Sequence, residues 1–161
     1  MVKFRECVFK ANVEENERYY LNNQLCDCLA CKNYYVAINK SHPKLAGFLK
    51  ELGVNAARPD ELSWYDESFS QHTVLYEAMY SVKGCLLKGN ISQLGSDKIN
   101  IDNADIHLGE CDFPNNRSTI CFGIRVTVVL NWEQEEPYDD WFGTDKKGII
   151  NRFLKKCKRC I

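Results

Sequence analysis

The sequence has no long apolar run, and this absence excludes several classes of protein. A membrane-spanning helix needs roughly 18 apolar residues, whereas the longest apolar stretch, residues 124–130, is interrupted by Arg125 and Thr127. The opening residues, MVKFRE, contain no apolar segment of the kind that a secretory signal requires. We therefore expect a cytoplasmic protein with no membrane partner.

The chain also lacks an excess of charge of either sign, internal repeats and low-complexity linkers. Its 161 residues include 21 Lys and Arg and 22 Asp and Glu, which gives a formal net charge of −1. The whole molecule therefore has no general attraction to nucleic acid or to an anionic membrane. This length fits one domain with its own core, so we treat residues 1–161 as a single domain in which 145–161 are a candidate basic helical tail.

The sequence motifs of common enzyme classes are absent as well. There is no P-loop, GxGxxG, GxSxG or HExxH pattern, and His42, His72 and His107 are widely separated along the chain. Hydrolytic chemistry usually needs a histidine beside a nucleophile, which only the fold could bring about here. We expect a binding protein rather than an enzyme and predict no catalytic residues. A small hydrolase or nuclease with a scattered site is the alternative.

Hydrophobic periodicity predicts a sheet with helices on one face. Residues 4–9 alternate as a strand does, and residues 18–21 form a second short candidate. Further strand-like runs lie at 72–82, 85–88, 98–101, 105–108 and 119–132. A helix is predicted at 146–158. The expected fold class is α+β: an antiparallel or mixed β-sheet packed by an αα-hairpin in the N-terminal half, with a C-terminal helix.

The αα-hairpin is predicted between residues 27 and 53. Its first helix has Asp27 as a candidate N-cap and an apolar stripe formed by Cys28, Cys31, Tyr35 and Ile38. Its second helix begins at Pro43 and ends before Gly53 in the left-handed conformation. The stripe of that helix consists of Leu45, Phe48, Leu49 and Leu52.

The densest chemical signal is the cluster Cys26, Cys28 and Cys31 among nine cysteines. Thiolates are soft ligands that hold zinc in tetrahedral sites, and the positive end of a helix favours an ionised sulfur. A fourth ligand would come from elsewhere in the fold, with Cys7, Cys85, Cys111 and His42 as candidates. We predict no cofactor, with zinc as the alternative. The alternatives are core packing, because cysteine behaves as a small hydrophobe, and redox or catalytic use.

An acidic and aromatic segment follows the longest predicted strand. Aromatic side chains anchor protein interfaces, and carboxylates steer basic partners toward them. The segment therefore predicts a protein-binding surface that consists of Trp132, Glu133, Glu135, Glu136, Tyr138, Asp139, Asp140 and Trp141. The alternative is a solvated loop whose tryptophans pack back onto the core. The basic segment 146–159 has no accompanying aromatic platform, so we do not expect nucleic acid as a partner.

Several short motifs occur together in the chain: CxCxxCxNY at 26–34, HPxL at 42–45, LGV at 52–54, RPDE at 58–61, YxVxG at 80–84 and LNW at 130–132. As a set they resemble a group of small CxCxxC-containing proteins of Gram-positive bacteria that have no established activity. The resemblance implies an immunity-type protein of a toxin system. It predicts a small cytoplasmic protein that neutralises a toxin partner, expected to be a basic toxin domain. The alternative is a zinc-binding structural module.

Overall fold

The computed structural model describes residues 1–4, 7–68, 71–89, 98–110 and 121–138. In this part of the chain the helices are α1 (Val13–Asn22), α2 (Leu29–Ser41) and α3 (Pro43–Glu51). The strands are β1 (Val2–Phe4), β2 (Cys7–Ala11), β3 (Glu61–Ser68), β4 (Thr73–Lys88), β5 (Lys98–Ile101), β6 (Ala104–Glu110) and β7 (Cys121–Asn131). The predicted α+β class is confirmed.

The long strand β4 organises the sheet. One of its edges pairs with β7, and the other pairs with β3 along its first half and with β2 along its second half. Strand β1 continues the sheet beyond β2, while β6 and β5 continue it beyond β7. Every pairing between the described strands is antiparallel. Of the two predicted sheet types, the antiparallel one is therefore observed.

The helices cover one face of the sheet, and the core lies between the two layers. Alternate side chains of a strand point to the same face. Those that face the helices are almost completely buried in the three central strands: Val74, Tyr76, Ala78, Tyr80, Val82, Ala104, Ile106, Leu108, Ile124, Val126, Val128 and Leu130. Helix α1 contacts β4, and α2 contacts β7. The first turns of α2 lie beside Tyr76 near the beginning of β4 and beside Asn131 at the end of β7.

The first helix corrects the sequence analysis. Residues 18–21 were predicted as a strand, and this is wrong because they lie in α1. The buried side chains of α1 are Asn16 and Tyr20. Because Asn16 is polar but occupies a core position, the sequence of α1 does not show the apolar periodicity of a helix. Asn16 donates through Nδ2 to the Leu52 carbonyl oxygen (2.8 Å) and accepts from the Lys83 N–H (2.8 Å). It thereby ties α1 to the end of α3 and to β4.

Helices α2 and α3 form where the apolar stripes predicted them, and they contact each other. A single residue, His42, separates them. The N-cap of α2 is Cys28 rather than Asp27, which corrects the predicted start by one residue. Gly53 has the predicted left-handed φ, at 77°. A Cβ at this position would also clash with the Val13 carbonyl oxygen, so glycine meets two requirements at once.

The strand pattern needs three further corrections. Residues 4–9 were predicted as one strand, but they are divided between β1 and β2, which pair with each other. Residues 85–88 were predicted as a strand separate from 72–82, but β4 continues through Gly84. A Cβ at Gly84 would clash with the backbone carbonyl of Lys10, so this glycine allows β2 to approach and does not end the strand. Strand β3 was not predicted. The predicted helix at 146–158 and the basic tail at 145–161 lie outside the described residues.

Candidate metal centre

The three clustered cysteines converge at the start of α2. Their sulfur atoms all lie within 4.8 Å of one another. Cys28 is the N-cap and adopts an extended conformation (φ −70°, ψ 154°), while Cys31 is the third residue of the helix. Residues three apart on a helix share a face, and Cys26 is close because the Cys28 N–H points toward its Sγ at 3.5 Å. The local backbone therefore gathers all three thiols.

The spacing of the sulfurs is close to that of a zinc site. Zn–S bonds of about 2.3 Å in a tetrahedron place two sulfurs about 3.8 Å apart. Sulfurs already within 4.8 Å need to approach by at most about 1 Å, which side-chain rotation supplies. Cys31 is fully buried, whereas Cys28 is half-buried. The donor set is soft and negatively charged when ionised, and the positive end of α2 favours that ionised form.

Tyr76 and Asn33 form a buried polar cluster beside the cysteines. The Tyr76 hydroxyl donates to the Ala30 carbonyl oxygen in the first turn of α2 (2.8 Å) and accepts from Asn33 Nδ2 (3.1 Å). Burial raises the pKa of Tyr76 above its usual value, the hydrogen bond from Asn33 opposes this effect, and the nearby Cys31 and Cys28 add to it. Tyr76 therefore stays protonated as a donor at neutral pH.

Asn33 connects this region to the acidic segment. It is fully buried, donates through Nδ2 to the Asn131 carbonyl oxygen (3.1 Å) and accepts through Oδ1 from the Glu133 N–H (2.6 Å). The Glu133 carboxylate also forms a 2.7 Å ion pair with Lys40. Sequence analysis missed Asn33 and Tyr76 as site residues, because only the fold brings β4 and residues 131–133 to the start of α2.

Three of the four suggested fourth ligands can be assigned positions. His42 lies at the opposite end of α2, about 20 Å from Cys28 along the helix, and its Nδ1 is 2.6 Å from the Asp102 carbonyl oxygen. Cys85 pairs with Lys10, about 30 Å along β4 from Tyr76, and Cys7 in β2 lies farther in the same direction. These three suggestions are therefore wrong. Cys111 lies outside the described residues.

The two described aromatic residues of the acidic segment, Trp132 and Tyr138, turn toward the protein. Trp132 is half-buried, and its Nε1 donates to the Glu136 carbonyl oxygen at 2.7 Å. Tyr138 is 2% exposed, stacks on His72 with ring centroids 5.1 Å apart, and donates to the Thr73 carbonyl oxygen. Both rings therefore help to fix the course of the segment. The solvated-loop alternative predicts that the tryptophans pack back onto the core, and Trp132 packs in this way.

The described carboxylates of the same segment, Glu133, Glu135 and Glu136, remain on the surface. Glu135 and Glu136 are exposed, and Glu133 lies next to them with its ion pair to Lys40. The hydrogen bond from Trp132 to the Glu136 carbonyl holds the backbone of this turn. The other predicted partner-binding residues, Asp139, Asp140 and Trp141, lie outside the described residues.

A separate cavity of about 520 Å³ opens between α1 and α3. Its size falls within the range of small-molecule sites. The described residues that line it include one carboxylate and one ammonium group, Glu17 and Lys50, but no histidine or cysteine. Among the described residues that line it, the cavity therefore brings no histidine or cysteine together with another reactive group.

Comparison of the chain with protein-family models, with curated proteins and with solved structures gives no match. Within the part of the chain that the structure describes, no helix is both long and apolar enough to cross a membrane.

Proposed function

We propose that this protein binds zinc through Cys26, Cys28 and Cys31. The observation that carries the proposal is the convergence of the three sulfurs within 4.8 Å at the positive end of a helix. Thiolates favour zinc among common cellular cations, and tetrahedral sites with three or four cysteines are frequent in proteins. Three ligands from the described chain leave a fourth position, which water or another donor would fill.

The bound ion would have a structural effect on the molecule. It would join the loop that carries Cys26 to the first turn of α2, whose Ala30 carbonyl is already bonded to Tyr76 in β4. Zinc at a hundred times its dissociation constant stabilises a folded protein by about 2.7 kcal/mol. For a chain of this size the corresponding increase in Tm is about 5–10 °C.

Elemental analysis of the full chain, purified without added metal, tests this function. We expect about one equivalent of zinc in the wild-type protein and almost none in the variant Cys26→Ser/Cys28→Ser/Cys31→Ser. The variant Cys85→Ser is the matched control, because Cys85 lies far from the cluster and its loss should not change the zinc content. Less than about a tenth of an equivalent in the wild type would refute the proposal, since structural sites hold zinc tightly.

A second function, binding of a basic protein partner, is favoured by a different observation. Glu135 and Glu136 present exposed carboxylates on a turn that Trp132 holds in place. A preorganised acidic surface attracts a basic partner and loses little freedom on binding. On this proposal the protein acts as an immunity-type protein that covers a basic toxin domain, in agreement with the resemblance described for the motifs between Cys26 and Trp132.

Co-purification with the product of the adjacent gene tests the second function. We expect a complex that is lost when Glu135, Glu136, Asp139 and Asp140 are all changed to Lys. A matched variant carries Glu14→Lys and Glu17→Lys, two exposed carboxylates of α1 on another part of the surface, and it should keep the complex. A complex that survives the four substitutions together would contradict the proposal that this acidic surface binds the partner.

A further inference from the structure

Two of the three clustered cysteines also have the arrangement of a redox-active dithiol. Cys28 is the N-cap of α2 and Cys31 is the third residue of the same helix. A CxxC pair at a helix N-terminus is the setting in which protein thiols ionise readily and form a disulfide without unwinding the helix. The two sulfurs already lie within 4.8 Å of each other. The cluster therefore combines three soft metal donors with a cysteine pair that oxidation can join in a disulfide.

The two thiols of this pair differ in their access to solvent. Cys28 is half-buried, so a small oxidant can reach its sulfur, whereas Cys31 is fully buried. A redox pair of this kind usually has one accessible thiol that reacts first and a second thiol that resolves the product. The geometry assigns the first role to Cys28 and the second role to Cys31.

We propose that hydrogen peroxide oxidises Cys28 and Cys31 to a disulfide and thereby releases the zinc ion. This inference rests on the proposed zinc-binding function and adds its regulation. The Cys28 thiolate attacks one oxygen of peroxide and the O–O bond breaks, which gives a sulfenic acid and a hydroxide that is protonated to water. The Cys31 thiolate then attacks the Cys28 sulfur, the S–S bond forms, and the S–O bond breaks to release a second hydroxide, which takes a proton from solvent and becomes water. Two electrons pass from the sulfurs to peroxide.

Oxidation would remove two of the three donors in one reaction. Cys26 would remain as a single thiolate, and one thiolate does not hold zinc in a tetrahedral site. The Cys28 N–H would still point toward Cys26 Sγ, and α2 would keep its cap. The change would therefore be confined to the metal and to the loop around Cys26. A dithiol reductant and added zinc would reverse it.

The experiment uses the full chain loaded with zinc and treated with hydrogen peroxide. A colorimetric zinc indicator follows release of the ion, and peptide mass spectrometry identifies the cysteine pair that has lost two hydrogens. We expect close to one equivalent of zinc to be released at the same rate as the Cys28–Cys31 disulfide forms. A reductant with added zinc should restore the starting state. The variant Cys157→Ser/Cys160→Ser, which removes the other CxxC pair of the sequence, should release zinc at the same rate.

The variant Cys31→Ser tests the order of the two steps, and it is informative even if it binds zinc weakly. Without the resolving thiol, the sulfenic acid at Cys28 should persist and be trapped by dimedone. The inference is overturned if zinc stays bound in the presence of peroxide, if the disulfide joins Cys26 to another residue, or if the Cys28–Cys31 disulfide forms without loss of zinc. A wild-type protein that takes up no zinc would instead refute the proposed function, and its disulfide would still be measurable.

Discussion

Asn33 shows how much one buried side chain contributes to the arrangement of the candidate site. Its side chain makes three hydrogen bonds to groups that lie far away in the sequence: the Tyr76 hydroxyl, the Asn131 carbonyl and the Glu133 N–H. A buried amide is stable only because each of these groups is satisfied in return. The start of α2 and the beginning of the acidic segment are therefore held by the same residue.

Replacement of this residue gives the first prediction. Asn33→Leu keeps a similar size but leaves the Asn131 carbonyl and the Glu133 N–H without their partner, and we expect the free energy of unfolding to fall by about 3 kcal/mol. Asn39→Leu makes the same change at an exposed position of the same helix and should change it by less than about 0.5 kcal/mol. Urea unfolding of both variants provides the comparison. Equal losses would contradict the assigned role of Asn33.

At this scale the sequence predicted one part of the site and not the other. The spacing of Cys26, Cys28 and Cys31 placed them together because the interactions that gather them are local. Asn33 was not predicted, since a polar residue on the inner face of a helix looks like a surface residue until its partners are known. Those partners come from β4 and from the end of β7, and no local pattern specifies them.

The helices and strands differ in how clearly the local sequence predicts them. Helix α1 was missed although its start has an N-cap residue: Asn12 accepts through Oδ1 from the Glu15 N–H and donates through Nδ2 to the Glu15 carboxylate. That signal was available in the sequence. Strand β3 was missed because its buried side chains, Leu62 and Trp64, are only two among polar neighbours. Its place is determined by pairing with β4.

Two glycines of the α3 region provide the second prediction, at the scale of the element. Gly53 ends the helix at a φ of 77°, and a Cβ there would clash with the Val13 carbonyl oxygen, so Gly53→Ala should destabilise the protein by about 2 kcal/mol or more. Gly47 lies in the middle of α3, and a Cβ there would meet nothing within 4 Å. Gly47→Ala should therefore stabilise the protein by up to about 1 kcal/mol.

Urea unfolding of both variants tests this prediction, because both variants make the same chemical change. We expect the urea midpoint to fall in Gly53→Ala and to rise in Gly47→Ala. A Gly53→Ala protein as stable as the wild type would show that the left-handed end of α3 is not required.

At the scale of the whole molecule, four buried tyrosines set the response of stability to alkaline pH. Burial is the largest cause that raises the pKa of Tyr20, Tyr34, Tyr76 and Tyr80 above the usual value of 10.0. The unfolded chain loses these protons near pH 10, whereas the folded protein keeps them. The stabilising contribution is therefore complete below pH 10 and is lost as the pH rises above it.

The third prediction follows from this linkage. The free energy of unfolding should be nearly constant from pH 8 to 9.5 and then fall, with each of the four groups contributing up to about 1.4 kcal/mol per pH unit. Denaturant titrations at intervals of half a pH unit up to pH 11.5 measure the slope. Tyr34→Phe should reduce that slope by the contribution of one group. A stability that does not change up to pH 11.5 would contradict the burial of these hydroxyls.

The overall architecture was predictable to the level of its class. The alternating runs of β4, β6 and β7 and the apolar stripes of α2 and α3 carry strong local periodicity, and they define the α+β class together. The order of the strands was not predictable, because a strand of 16 residues pairs with different neighbours along its two halves. That arrangement depends on Gly84, whose missing side chain lets β2 approach.

The central claim is that Cys26, Cys28 and Cys31 hold zinc, and X-ray absorption at the zinc edge tests it most directly. The full chain, purified with its own metal, should show at least three sulfur neighbours at about 2.3 Å from the ion. The Cys31→Ser variant should show one sulfur fewer, or no bound zinc. A spectrum with only nitrogen and oxygen neighbours at about 2.0–2.2 Å would place the ion elsewhere and contradict the account.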